Sequence, residues 1–129
     1  MMFMLIKIEL KCERPIYMQI YDQIVEAIAS GKLEEGTTLP SARRLAVDLG
    51  INFHTVNKAY NLLRERGFLI MNRKKMFVVQ KSKDEKFIEN LKNLEEKLIN
   101  EAIAKGMSEN EILSILKNVL KKTKKGDSL

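Results

Sequence analysis

The chain has 129 residues, of which 45% are hydrophobic and 31% are charged. These proportions fit one domain, or a small domain with an appendage, and they exclude both a disordered chain and a membrane-embedded one. The formal net charge is +6, which favours an anionic partner such as nucleic acid. Cys12 is the single cysteine, so no internal disulfide can form and a reducing cytoplasm is the expected location. The longest apolar run, residues 1–6, is too short to span a membrane.

The first part of the chain alternates at the period of a strand and then at the period of a helix. In residues 1–11 every second residue is apolar and the others include charged ones, which predicts a half-buried edge strand. Pro15 suits the first turn of a helix, which ends before a turn-rich connector at residues 31–39. Tyr17 and Tyr21 lie beside the apolar stripe of this helix, so we expect both to pack in a small core.

A pair of short helices is predicted in the middle of the chain. Ser41 can cap a helix that ends at Gly50, where a left-handed backbone is favoured, and Asn52 can cap a second helix that Gly67 ends. The apolar stripe of the second helix consists of Val56, Ala59, Tyr60 and Leu63. Its opposite face carries Phe53, His54, Asn57, Asn61 and Arg64. Such a helix is typical of those that enter the DNA major groove, although an ordinary helical hairpin has the same pattern.

Two short apolar runs follow, at residues 68–71 and 76–79, and the basic tip Asn72-Arg73-Lys74-Lys75 separates them. This pattern predicts a β-hairpin. Three helices followed by a hairpin is the order of a winged helix-turn-helix domain, in which a basic wing can meet phosphates or the minor groove. The ordinary helical hairpin therefore becomes a minor alternative. The predicted fold is mainly α with a small β-hairpin, and the winged helix-turn-helix domain occupies residues 1–81.

The composition changes at Ser82, after which there is no proline and helix formers predominate. Ser82 with Glu85, and Ser108 with Glu111, are capping-box patterns that predict two helices. Their apolar stripes consist of Phe87, Leu91, Leu94 and Leu98, and of Ile112, Leu113, Leu116, Val119 and Leu120. Two helices of this size cannot bury both stripes against each other, so the stripes meet either the winged domain or the same pair in a second subunit. We predict that residues 82–129 form a two-helix dimerisation tail.

Three segments together resemble the GntR family of bacterial transcription regulators. They are Pro15-Ile16-Tyr17-x-Gln19-Ile20, Gly31-Lys32-Leu33-x-x-Gly36-x-x-Leu39-Pro40-Ser41-x-Arg43-x-Leu45-Ala46, and Leu49-Gly50-Ile51-x-x-x-Thr55-Val56-x-x-Ala59-Tyr60-x-x-Leu63. The short two-helix tail is similar to that of the YtrA branch of the family. The resemblance implies a homodimeric repressor that binds a palindromic operator in double-stranded DNA.

The resemblance also implies roles for single residues. Arg43 falls where the family places an arginine on DNA, and Asn52, His54 and Thr55 fall where short polar groups meet bases or phosphates. Asn57 lies one turn further along the same helix. Together with neighbouring polar residues and the wing, the residues expected on the DNA side are Ser41, Arg43, Arg44, Asn52, Phe53, His54, Thr55, Asn57, Lys58, Arg73, Lys74 and Lys75.

Two positions depart from the family pattern. Phe53 stands where family members usually have an arginine, so a contact that reads guanine is missing. An exposed Phe53 can lie against a thymine methyl group, and the alternative is that it packs onto Ile51 and the preceding helix. The wing of the family usually contains glycines, whereas residues 72–75 contain none, which leaves the turn type of this wing open.

Other functions have less support in the sequence. His54 and Cys12 lie on different predicted elements without a carboxylate pair or a glycine-rich phosphate loop, which argues against an enzyme and against a metal or cofactor site. A winged-helix module that binds proteins is the main alternative, and the basic wing favours DNA over it. RNA binding would need exposed aromatic side chains for stacking, and Phe53 alone qualifies. We expect either no small-molecule effector or one that binds between the tail and the winged domain, and the sequence does not indicate its identity.

Overall fold

The computed structural model describes residues 6–125, and side chains as far as residue 123. Within this range the chain forms five helices and two strands. In chain order they are α1 (Ile16–Ser30), α2 (Ala42–Leu49), α3 (Phe53–Glu65), β1 (Leu69–Met71), β2 (Phe77–Val79), α4 (Glu85–Ala104) and α5 (Glu109–Lys125). The chain divides into two compact units, Met1–Lys81 and Ser82–Leu129. The predicted fold class, a mainly helical winged helix-turn-helix protein with a small hairpin, is confirmed.

The core of the first unit is built where the apolar stripes of α1, α2 and α3 meet β1 and β2. The largest fully buried side chains are Tyr60, Ile20, Ile24, Leu33, Leu39, Leu45, Leu63, Leu69, Val56 and Val79. Tyr60 also forms a hydrogen bond, in which its hydroxyl donates to the carbonyl oxygen of Pro40 at 2.8 Å. Burial raises the pKa of the Tyr60 phenol above its ordinary value, because the charged phenolate would be desolvated. This bond connects the middle of α3 to the residue that precedes the cap of α2.

The ends of α2 and α3 are fixed by local hydrogen bonds at the predicted positions. The Ser41 hydroxyl accepts from the Arg44 backbone N–H at 3.1 Å, and the Asn52 side chain accepts from the His54 N–H at 2.7 Å. Between the two helices Gly50 has a φ of 69°, in the left-handed region that glycine adopts without a steric penalty. The turn between the helices is therefore determined by residues within it.

The hairpin has a partner that the sequence did not predict. β1 and β2 pair antiparallel, with Leu69 opposite Val79 and Met71 opposite Phe77. The free edge of β2 takes up part of the connector, because Thr38 forms a bridge with Val78 and the Leu39 N–H donates to the Phe77 carbonyl at 2.9 Å. The wing is thus attached on one side to the segment that leads into α2.

The prediction of an edge strand at the start of the chain is wrong for residues 6–11, and residues 1–5 lie outside the described range. Ile6 is buried in the core as the alternation indicated, but its neighbours pair with glutamine side chains. The Gln23 amide accepts from the Lys7 N–H at 2.8 Å and donates to the Lys7 carbonyl at 2.7 Å. Gln19 exchanges the same two bonds with Glu9 at 2.8 and 3.0 Å. The segment is therefore held on α1 by side chains, and no strand within residues 6–125 pairs with it.

The second unit contains α4 and α5. Asp84 caps α4 by accepting from the Phe87 N–H at 2.8 Å, so the predicted cap at Ser82 is wrong by two residues. The capping box at the start of α5 is present, because the Ser108 N–H donates to the Glu111 carboxylate at 2.8 Å and the Glu111 N–H donates to the Ser108 hydroxyl at 3.2 Å. The bond from the Ser108 backbone lowers the pKa of the Glu111 carboxyl. No residue of α4 is buried.

Candidate nucleic-acid interface

The start of α3 presents polar side chains on a fixed backbone. Because the stripe of α3 is fully buried, its other face is directed outward, and His54 and Asn61 are exposed while Asn57 is half-buried. Asn52 is exposed and uses its side-chain oxygen to cap the helix, which leaves the two N–H donors of its amide free of that role. Thr55 is half-buried. Amide and imidazole groups that project from a rigid helix start have the chemistry needed to contact base edges.

Two successive arginines occupy the first turn of α2, and both are exposed. They have different partners. The Nε of Arg44 lies 3.4 Å from the Asp48 carboxylate, one helical turn away. The guanidinium carbon of Arg43 lies 4.4 Å from the centroid of the Phe53 ring, at the start of α3. One cation is therefore paired with an acid, and the other is placed on an aromatic ring.

Phe53 is half-buried and packs against the core, which agrees with the packing alternative and not with an exposed ring. Ile51 packs against the same core, in accordance with the packing alternative. The Phe53 ring also contacts the His54 imidazole, with centroids 4.5 Å apart and an angle of 45° between the planes. With Arg43 over the ring as well, little of the ring remains to meet a thymine methyl group.

A groove of about 610 Å³ runs between α1 and the polar face of α3. Tyr17 forms one wall, and the Lys58 ammonium lies 4.1 Å from the centroid of its ring. At the other end Arg66 donates a hydrogen bond to the Tyr21 hydroxyl at 3.2 Å, which raises the pKa of this guanidinium. Both tyrosines pack against the core, as predicted, and each also holds a cation. These contacts are not predictable from sequence pattern, because the paired residues are far apart along the chain.

The wing ends in a turn that carries three successive basic residues. The Asn72 side-chain oxygen accepts from the backbone N–H groups of Lys74 and Met76, at 2.9 and 3.0 Å. The Lys75 N–H donates to the Asn72 carbonyl at 2.9 Å, and Lys75 has a φ of 62°. Arg73, Lys74 and Lys75 are all exposed. The turn of the wing therefore forms without glycine, because the Asn72 side chain closes it and Lys75 takes the left-handed position.

The structure gives no indication of a membrane span or of a metal centre in the part that it describes. No helix within residues 6–125 is long and apolar enough to cross a bilayer. In the same range no three His, Cys, Asp or Glu side chains form a group that could hold a metal ion.

Comparison with known proteins relates this chain to a family of regulatory proteins. The family described as "Bacterial regulatory proteins, gntR family" matches residues 16–79, which include α1, α2, α3 and the hairpin. Among solved structures, the chain is similar to YtrA from Sulfolobus acidocaldarius, a GntR-family transcription factor. The two are 43% identical with a TM-score of 0.66, and the match covers 78% of this chain and 98% of that one.

Two curated relatives match only in part. The chain is 44% identical over 55 residues to the HTH-type transcriptional regulator SmoD of Agrobacterium fabrum, and 38% identical over 65 residues to the HTH-type transcriptional repressor YtrA of Bacillus subtilis. These matches cover 43% and 50% of this chain. The chain spans 24% of the length of SmoD and 50% of the length of the Bacillus YtrA.

Proposed function

Because the chain belongs to the GntR family of bacterial regulatory proteins, we propose that this transcriptional regulator is a repressor that binds a palindromic operator as a homodimer. The observation that carries the proposal is the start of α3, where exposed polar side chains lie beside Arg43, an arginine that pairs with no acid among the described side chains. Among the side chains that the structure describes, residues 6–123, the ion pairs are those of Arg14 with Asp22 and of Arg44 with Asp48, and Arg43 takes part in neither. A free cation beside polar groups on a helix start suits contact with phosphates and base edges together.

In this proposal, different groups of residues read the bases, contact the phosphates and hold the helix starts. The polar face of α3 enters the major groove, where His54 and Asn57 reach base edges. Arg43 and the wing residues Arg73, Lys74 and Lys75 contact phosphates, which positions α3 without reading sequence. Ser41 and Asn52 shape the interface chiefly as helix caps, since both side chains accept backbone hydrogen bonds. Arg44, Thr55 and Lys58 border these surfaces, and Phe53 lies beneath Arg43.

The tail supports the homodimer in this proposal. Large apolar side chains along α4 stay between 40% and 59% exposed, and Phe87, Leu91, Leu94 and Leu98 are among them. Exposed apolar surface of this extent marks an association site. A second copy of the chain offers the same stripes, and a twofold dimer would present two α3 helices to the two halves of a palindrome. The name of the Bacillus relative, a transcriptional repressor, supports the direction of regulation.

Selection of bound duplexes from a random DNA pool tests the proposal with the full chain. The expected result is a strongly enriched sequence with two inverted half-sites. In direct binding to that duplex, Arg43→Ala should weaken affinity and lower the slope of log affinity against log salt by about 0.9 for each phosphate that the arginine neutralises. Lys32→Ala is the matched control, because it removes an exposed cation outside the proposed interface and should leave the slope unchanged.

Two outcomes of the selection would contradict parts of the proposal. An absence of enrichment, with no salt-dependent binding, would favour the alternative of a winged-helix module that binds proteins. Enrichment of a single half-site without an inverted repeat would contradict the palindromic operator and the dimer, while DNA binding itself would stand.

A further inference from the structure

The contact between Arg43 and Phe53 joins the beginnings of two helices. Arg43 lies in the first turn of α2 and Phe53 is the first residue of α3. The Arg43 guanidinium carbon is 4.4 Å from the ring centroid, well within the range of a cation–π contact. A phenylalanine ring attracts a guanidinium but has no oxygen or nitrogen atom that could accept its hydrogen bonds. The five N–H donors of Arg43 therefore stay available for another partner.

The ring under Arg43 is a rigid support. Phe53 packs against the core, touches the His54 imidazole and directly follows the capping residue Asn52. A phenylalanine has only two side-chain torsions, so these contacts hold its ring in one orientation. Arg43 itself is exposed and would otherwise sample many rotamers. The ring therefore reduces the freedom of Arg43 before any ligand arrives.

Arg44 offers a comparison within the same helical turn. It is exposed like Arg43, but its Nε lies 3.4 Å from Asp48, which offsets its charge and competes for its donors. The two arginines are adjacent in sequence and differ in what holds them. Arg43 is thus the one that is both ordered by a neutral support and left with its full charge.

We infer that Phe53 is a positioning residue that raises DNA affinity through Arg43 and makes no base contact of its own. The inference rests on the proposed DNA-binding function. Ordering Arg43 in the free protein means that less side-chain entropy is lost when the guanidinium binds DNA. Effects of this kind are modest for one side chain, so the ring should contribute roughly threefold to tenfold in affinity for each half-site.

A double-mutant cycle on the full chain tests the inference, with the duplex enriched by selection as the probe. Phe53→Leu keeps an apolar side chain and removes the ring, whereas Phe53→Tyr keeps the ring. We expect Phe53→Leu to weaken binding by roughly threefold to tenfold per half-site, Phe53→Tyr to bind like the original chain, and Phe53→Leu to cost nothing more once Arg43→Ala is present. The control cycle uses Arg44→Ala, in whose presence Phe53→Leu should keep its full cost.

A measurement without DNA separates the contact from its consequence. In the free protein the ring current of Phe53 should displace the chemical shifts of the Arg43 δ-protons, and Phe53→Leu should return them to ordinary values. Thermal unfolding of each variant checks that it is folded, and Phe53→Met, which keeps flexible apolar packing, replaces Phe53→Leu if the leucine variant does not fold.

The results distinguish three cases. In the first case the original chain binds the duplex, but Phe53→Leu still weakens binding when Arg43→Ala is present. This result would overturn the inference and leave the proposed function standing. If that persistent cost comes with a changed base preference at one position of the selected duplex, Phe53 contacts a base. If the displaced Arg43 shifts are present but no duplex is enriched or bound, the proposed function fails, and the role of the ring in affinity fails with it.

Discussion

Lys75 holds a backbone conformation that lysine rarely adopts. Its φ of 62° lies in the left-handed region, where a side chain costs about 1–2 kcal/mol. The side chain of Asn72 offsets this cost by accepting two backbone hydrogen bonds across the turn, from Lys74 and Met76. A glycine would fit the position without strain. The wing therefore carries a third successive cation at the expense of stability, which is expected where a residue serves binding.

We predict that Lys75→Gly makes the protein more stable and its DNA binding weaker. Removing the strain should raise the free energy of unfolding by roughly 0.5–1 kcal/mol, as measured by urea denaturation. Because one cation fewer then faces the phosphates, the salt slope should fall by about 0.9 per subunit. Lys74→Gly is the matched control, because it removes the same charge from a position without a positive φ and should not raise stability. Equal changes in stability for the two variants would show that Lys75 is not strained.

At the scale of whole elements, the N-terminal segment is held on α1 by two glutamines one helical turn apart. Gln23 forms both of its bonds with the backbone of Lys7, and Gln19 forms two with the backbone of Glu9. The four-residue spacing on the helix matches the two-residue period of an extended chain, because both place successive partners roughly 6–7 Å apart. Each primary amide thus replaces one residue of a neighbouring strand.

Hydrogen exchange can test the two glutamines separately. Gln23→Ala should accelerate exchange of the Lys7 amide, and Gln19→Ala should accelerate exchange of the Glu9 amide, because each variant removes one acceptor. Each variant serves as the control for the other. Gln19→Ala should also lower stability more, since Gln19 is buried and additionally donates to the Arg14 carbonyl at 2.9 Å. Unchanged exchange at both amides in both variants would mean that the packing of Ile6 and Ile8 against the core holds the segment.

At the scale of the whole molecule, the apolar stripes of the tail remain exposed to solvent. Leu94 and Leu98 are 56% and 55% exposed, and on α5 Leu116 and Val119 are 51% and 53% exposed. Solvent contact over such stripes is unfavourable by about 25 cal/mol for each Å² of apolar surface. Two copies of the chain can remove these surfaces from water together, which is why the proposed dimer lies in the tail.

We predict that Leu94→Glu in the full chain produces a monomer with weaker DNA binding. The carboxylate would be buried without a partner in the dimer, so association should be abolished. Asn100→Glu is the matched control, since it adds the same charge on the opposite side of α4 from the stripe and should leave the dimer intact. Sedimentation velocity measures the mass of each variant, and titration of the selected duplex measures binding. A dimer that survives Leu94→Glu would move the interface to the winged domain.

Features that depend on nearby residues followed from the sequence by itself. The caps of α2 and α3 at Ser41 and Asn52, and the left-handed glycine between them, were predicted because each contact lies within a few residues along the chain. The same holds for the capping box at Ser108, whose partner is three residues away. The buried stripe of α3 followed from helical periodicity, which also determined which side chains lie on the opposite, outward face.

Only the tertiary structure decided the features whose partners lie far apart in the chain. Alternation in the N-terminal segment showed which face is buried, but not that glutamines would replace a strand. Likewise the Asn52 cap predicted that Phe53 begins α3. The half-buried position of its ring and the contact with Arg43 depend on tertiary packing. The physical reason is that periodicity records whether a side chain faces water or a core, whereas the identity of its neighbour depends on how distant elements pack.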